Sequence, residues 1–206
     1  MIKKILSVIF ILSVFFLISV QAAGISGKII KTNGVPLING KKTTLNSTVN
    51  EGDLIETEFS EKSYADILFS NGTYIRLKEN SKLKLIKTSN KFKLNLKSGK
   101  IFVNVEKLHK NQSFVVFTPV SVVGVRGTKF ALETTDRQSY ICVCEGIVAV
   151  NKKNIFNRMF SKDVEVSPDY DLWIKSGYTL KKPAYSPDML KATVSEFENM
   201  GFKINK

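Results

Sequence analysis

Lys91-Phe92-Lys93-Leu94-Asn95-Leu96-Lys97 puts an apolar side chain at every second position, and Lys82-Leu83-Lys84-Leu85 does the same a few residues earlier. Successive side chains of a strand point to opposite faces, so this alternation describes a ribbon with one face buried and the other in water. A helix would need its apolar residues three and four apart, and neither stretch has that spacing.

The same period runs outward in both directions. Upstream lie Gly27-Lys28-Ile29-Ile30-Lys31, Tyr64 to Phe69 and Tyr74 to Leu77. Downstream lie Ile101 to Val105, Phe114 to Phe117, Lys129 to Glu133, Tyr140 to Cys144 and Ile147 to Val150. These runs are rich in β-branched and aromatic residues. Turn chemistry separates them: Gly52-Asp53, Asn71-Gly72, Asn80-Ser81, Ser98-Gly99, Thr118-Pro119, Arg126-Gly127 and Glu145-Gly146. At Asn71-Gly72 both residues accept the positive φ that a tight hairpin turn requires. Short strands at this spacing, with no helical stretch between them, predict an all-β sandwich, roll or solenoid over residues 25–150.

Residues 151–206 read differently and form a C-terminal extension. Asp163 to Val166 suggests one more strand, and Pro168 and Pro183 mark loop. A helix is predicted over 187–200, with Ser186 as N-cap, Pro187 at the first position and Asp188 in the first turn. Leu190, Val194, Phe197 and Met200 fall on one face of it.

The chain opens with a basic head, Met1 to Lys4, and an apolar run from Ile5 to Val20. Small residues follow, which is the pattern of a secretory signal peptide over residues 1–22. Val20 and Ala22 suit cleavage after Ala22, and Ala22 with Gly24 suits cleavage after Gly24. Sixteen residues fall short of the ~20 that a spanning helix needs. The expected location is therefore the periplasm or the exterior.

Composition excludes much chemistry. Among 206 residues there are two cysteines and one histidine, too few for a His-rich metal site, a four-ligand zinc site or a disulfide scaffold. No phosphate-binding glycine loop occurs, so no cofactor, no metal and no enzymatic activity are expected. His109 sits among Lys107, Lys110 and Asn111 without a catalytic partner. Cys142 and Cys144, two apart on a strand, point to one face and are poorly placed to bond each other. They read as buried free thiols, with an intermolecular disulfide as the alternative in an oxidising compartment.

The formal net charge is +13, and 29 basic against 18 acidic residues remain after loss of residues 1–22. Residues 78–110 hold ten lysines and two glutamates. Lys82, Lys84, Lys91, Lys93 and Lys97 oppose the apolar alternation, so they share one exposed face. Facing rows of like charge repel unless an anion lies over them. This makes them the candidate binding residues, for an acidic envelope protein, an anionic envelope polymer or lipid headgroups met peripherally. The bland reading is a solubilising edge that discourages strand pairing. Nucleic acid is not expected, because the chain carries an export signal and few aromatics interleave with these lysines. An acidic stretch (Glu51, Asp53, Glu56, Glu58, Glu61 and Asp66 against Lys62) could neutralise the lysine face of a neighbouring copy. Arg126, between Val125 and Gly127, reads as a structural donor to turn carbonyls.

In order and spacing the turns and strands from about residue 45 to 150 resemble the periplasmic FecR-type domain. The matching pieces are Glu51 to Thr57, Ala65 to Thr73, Ile75 to Ser81, Leu94 to Lys100, Phe117 to Val120, Val125 to Phe130 and Cys144 to Val148. The most specific is Thr118-Pro119 followed by Val125-Arg126-Gly127-Thr128-x-Phe130. The resemblance implies a short β-solenoid or β-roll, with Gly52, Asp53, Asn71, Gly72, Thr118, Pro119, Arg126, Gly127, Thr128, Glu145 and Gly146 as its structural motif. The main reading of the whole chain is a non-catalytic, exported envelope protein that binds another envelope component. The alternative is a sensory or regulatory module of a transmembrane signalling system, as in the iron-uptake regulators of that family. Those regulators control a sigma factor through a cytoplasmic N-terminal segment. Only four residues precede the apolar run here, so sigma-factor control is not expected.

Overall fold

The computed structural model describes residues 25–86, 91–105, 113–152, 163–178 and 182–205, apart from the side chains of Arg126 and Lys152. The signal-peptide reading and His109 lie outside these residues. The first strands are β1 (Gly27–Asn33), β2 (Leu37–Ile38), β3 (Lys41–Lys42), β4 (Thr48–Val49), β5 (Leu54–Glu56), β6 (Tyr64–Phe69), β7 (Tyr74–Lys78) and β8 (Lys82–Ile86). Then come β9 (Lys91–Asn104), β10 (Ser113–Phe117), β11 (Ser121–Thr134), β12 (Gln138–Lys152), β13 (Val164–Val166), β14 (Tyr170–Lys175) and β15 (Ala184–Tyr185). The helix α1 (Pro187–Asn199) follows.

The long strands β9, β11 and β12 organise the body. The first half of β9 pairs with β8 and β10, and its second half with β7 and β11. The first half of β11 pairs with β10 and its second half with β9. Each long strand thus serves two layers. One layer carries β4, β1, β6, β7, the second halves of β9 and β11, the first half of β12, β14 and β15. The other carries β3, β2, β5, β8, the first halves of β9 and β11, β10, the second half of β12 and β13. Apolar positions of both layers point at one another in a single core that includes Ile67, Ile75, Leu94, Leu96, Phe114, Phe130, Ile141 and Leu172.

The result is all-β with a C-terminal helix, as the alternation predicts, but its centre is a closed barrel of five strands with extra strands rather than a solenoid or roll. A solenoid stacks successive parallel turns. Here β9·β10 is the one parallel pairing among the described strands, and the rest are antiparallel. Closure comes from β9, which pairs with both β10 and β11 while those two pair with each other.

Three expected turns are corners inside strands. Ser98-Gly99, Arg126-Gly127 and Glu145-Gly146 lie within β9, β11 and β12, where the glycines take φ of 90°, 63° and 77°. A strand that passes from one layer to the next bends at a bulge or glycine. The β11·β12 register slips on both sides of Lys129, where two of these corners meet. At Gly146 a Cβ would collide with the Gly127 carbonyl oxygen and lie 2.5 Å from Thr128 Cγ2. Only glycine allows that close approach. Sequence alone cannot tell such a corner from a turn, because both demand a residue that tolerates positive φ.

Candidate functional site

The lysine face lies where the alternation puts it. Leu83, Leu85, Phe92, Leu94 and Leu96 are buried, while Lys82, Lys84, Lys91 and Lys97 are exposed and Lys93 is half-buried. The residues between the two strands, 87–90, are outside the described part. The lysines do not confront one another directly. Lys84 lies opposite Asn95 and Lys93 opposite Ile86 in the regular register, and a bulge between Lys82 and Leu83 sets Lys82 opposite Ser98 rather than Lys97. This stagger relieves the repulsion expected of facing rows. Strand β5 places Glu56 against Lys82, with Oε1 2.8 Å from Nζ. Lys84, Lys91, Lys93 and Lys97 have no ion pair among the described residues. Among the described residues the face is therefore a cluster of four cations without ion pairs beside one neutralised one.

The acidic stretch is divided rather than continuous. Glu56 is used on Lys82. Asp53 Oδ2 accepts the Asn50 N–H at 2.7 Å, and its Oδ1 accepts from Asn39 Nδ2 at 2.6 Å, so it holds the turn before β5. Asp66 is buried. Glu58 and Glu61 remain exposed on the loop between β5 and β6.

The motif residues are turn and corner chemistry. Gly52 has φ of 94° beside Asp53. In the β6–β7 turn Gly72 takes φ of 81°, whereas Asn71 does not enter the positive region and instead accepts the Thr73 N–H at 3.1 Å. At Thr118-Pro119, Thr118 Oγ1 accepts the Ser121 N–H at 2.8 Å and lies 3.0 Å from Ser139 Oγ, which ties the β10–β11 turn to β12. Thr128 accepts the Val105 N–H at its carbonyl at 2.9 Å. Glu145 Oε2 accepts from Lys129 Nζ at 2.6 Å, and Oε1 from the backbone N–H of Asn205. The proposed donors of Arg126 fall outside the described atoms.

The opposite, outer face of the other layer is closed by α1 and the tail behind it. Phe102, Ala131, Tyr140, Cys142 and Cys144 are buried there against Leu190 and Phe197. Phe197 meets Phe102 edge-on at 5.7 Å, and Phe202 meets Tyr74 at 5.0 Å. Cys142 and Cys144 are free and share this face, as their spacing requires. The helix covers both, so a second chain's thiol cannot reach them while α1 is seated. The hydrogen bond with Cys142, and then burial, hold the Cys144 thiol above the usual range.

Sequence reading missed the polar group under this helix. Asp66 is fully buried and accepts from Arg76 Nε at 2.7 Å, Arg76 Nη2 at 2.6 Å and Tyr74 Oη at 2.7 Å. Arg76 Nη1 and Lys78 Nζ each lie 3.2 Å from Glu196 Oε1 on α1. The guanidinium also covers the Tyr64 ring at 4.4 Å. Burial opposes the Arg76 charge, but Asp66 and then Glu196 hold its proton more firmly than usual. Burial, followed by the bond to Asp66, raises the Tyr74 phenol. Burial likewise leads the rise at Tyr140, whose Oη lies 2.9 Å from Asp171 Oδ2. Asp66 and Arg76 stand on the polar half of an ordinary alternation, and Glu196 is 120 residues from Arg76. No local signal joins them.

Among the described residues there is no group of three or more His, Cys, Asp or Glu able to hold a metal, and no helix long and apolar enough to cross a membrane. The geometry offers cations on one face and a helix-sealed polar core on the other.

Two crystal structures from Parabacteroides distasonis ATCC 8503, each described as that of "a putative anti-sigma factor", share this fold. One is 18% identical with a TM-score of 0.55, over 68% of this chain and 63% of its own length. The other is 16% identical with a TM-score of 0.53, over 71% of this chain and 73% of its own. No curated protein matches the sequence. The model of the family described as FecR protein matches residues 53–149, from the turn before β5 to the second half of β12. The sequence order of the turns, the corner glycines and this match agree: residues 53–149 of the chain are a FecR domain.

Proposed function

We propose that this chain is an exported, non-catalytic regulatory module of the cell envelope that binds an acidic envelope component, protein or polymer, on its lysine face. The observation that carries the reading is the placement of Lys84, Lys91, Lys93 and Lys97. They share one exposed sheet surface, without ion pairs among the described residues, on a rigid apolar floor. Four cations held in fixed relative positions attract a polyanion, and the attraction falls as salt screens it. The regulatory part of the proposal draws on the FecR domain and on the description of the two structural neighbours.

Binding of the protein from residue 23 onward to polyglutamate, and to vesicles containing phosphatidylglycerol, tests the reading across salt. The parent is expected to bind at low salt and release at high salt. A variant with Lys82, Lys84, Lys91, Lys93 and Lys97 changed to Gln is expected to lose binding without losing stability, since exposed charges matter by under about 0.5 kcal/mol each. Undiminished binding by that variant would leave the lysines as a solubilising face only.

A further inference from the structure

Toward the β11–β12 hairpin, the outer face that α1 crosses ends in a shallow recess of about 170 Å³. Glu133, Thr134, Thr135, Gln138, Tyr140 and Trp173 line it. One row across the strands reads Lys100, Glu133, Tyr140, Trp173 in direct register. Leu172 and Ile174 belong to the core, so alternation along β14 sends the Trp173 indole to the outer face. It is 47% exposed there, and the cluster that α1 forms on Tyr140 does not include it.

The indole is held in place from below. It packs on Tyr140 with ring centroids 4.7 Å apart, and Tyr140 Oη lies 2.9 Å from Asp171 Oδ2. The rim is also fixed. Thr135 N–H donates to the Gln138 carbonyl at 2.9 Å, and Ser176 N–H to the Arg137 carbonyl at 2.8 Å, which ties the hairpin to the turn after β14. Binding groups fixed before a ligand arrives cost little ordering entropy when it docks.

Hydrogen-bonding groups surround the open aromatic face. Gln138 is engaged through its backbone, so among the described residues its side-chain amide keeps a free donor and a free acceptor. Glu133 Oε2 lies 3.5 Å from Lys100 Nζ, which balances its charge and leaves Oε1 as an acceptor. Lys175 stands exposed opposite Gln138. A purely apolar ligand would desolvate Glu133 and Gln138 without bonding them, and a small anion would make no use of the indole. A sugar ring satisfies both, since its C–H face is apolar and its edge carries hydroxyls.

We propose that this recess binds a sugar ring of an envelope saccharide, stacked on Trp173 with its hydroxyls on Gln138 and Glu133. The site lies in the other layer from the lysine face and is independent of that reading.

Trp173 is the one tryptophan of the chain, so its fluorescence reads the site directly. Titration of the protein from residue 23 onward with chitotriose, maltotriose and trigalacturonate is expected to give a saturable change with at least one of them. The acidic sugar is included because of Lys175. Glu133→Ala and Gln138→Ala should each weaken that binding by about 3–10-fold, the loss of one hydrogen bond. Trp173→Ala, followed by calorimetry, should abolish it. Trp173→Tyr keeps a ring on Tyr140 and should retain part of the binding, which separates lost stacking from a disturbed fold. The variant with the five face lysines changed to Gln should bind the sugar as the parent does. No saturable change with any of the three sugars would overturn the inference. So would undiminished binding in Trp173→Ala or in the double variant Glu133→Ala/Gln138→Ala, or sugar binding lost with the five lysines.

Discussion

Replacing Asp66 by Leu removes the anion from the most enclosed charge cluster of the described protein. Asp66 is fully buried and Arg76 nearly so, and three short hydrogen bonds converge on the carboxylate. Without it, Arg76 keeps only Glu196, 3.2 Å from Nη1 and itself partly in water. Removing one partner of a buried ion pair costs about 3–5 kcal/mol, because the other charge stays buried without compensation. Domains of this size have a total stability of about 5–15 kcal/mol, so the loss is a large share. Arg76→Met should cost a similar amount. The double variant Asp66→Leu/Arg76→Met should return close to the parent, since apolar residues of like volume replace a buried pair with little net loss. Urea unfolding, followed by fluorescence of Trp173, measures all four corners of this cycle. The indole packs on Tyr140 at 4.7 Å and senses loss of that packing. A single variant within about 1 kcal/mol of the parent would refute the reasoning. So would a double variant less stable than either single one.

Gly146→Ala should destabilise by about 3 kcal/mol or more, because the Cβ meets backbone at the β11–β12 corner and φ is 77°; thermal unfolding measures it, and Gly40→Ala, whose Cβ meets nothing, is the control for positive φ alone. The folded-state pKa values of Tyr74 and Tyr140 are raised above the unfolded value of about 10, so their contribution is complete below about pH 10 and lost as pH rises beyond it. Unfolding midpoints taken through that alkaline range should fall, and fall less steeply in Tyr74→Phe and Tyr140→Phe. Glu196→Gln should cost about 1 kcal/mol by loosening α1 from Arg76 and Lys78, seen as faster amide exchange in α1 than in β9. N-terminal sequencing of the protein from fractionated cells should find a chain starting at Ala23 or Ile25, and a cytosolic chain retaining Met1 would refute export.

Period-two alternation is a local property, and it decided by itself which side chains of β8 and β9 are buried and which lysines meet water. Leu94 must point inward if Lys93 points outward, whatever the strand pairs with. The helix from Pro187, its acidic first turn and the shared face of Cys142 and Cys144 were equally local, and all were legible. Tertiary structure decided what local rules leave degenerate. Gly99, Gly127 and Gly146 satisfy a turn and a strand corner alike, and only the two-layer pairing of β9, β11 and β12 makes them corners that close a barrel. The bulge that sets Lys82 off from Lys97 exists only once β8 has a partner. Asp66, Arg76 and Glu196 looked like solvated polar positions until α1 folded back across β7 and took their face out of water. Burial is a relation between distant segments, so no stretch of sequence carries it alone.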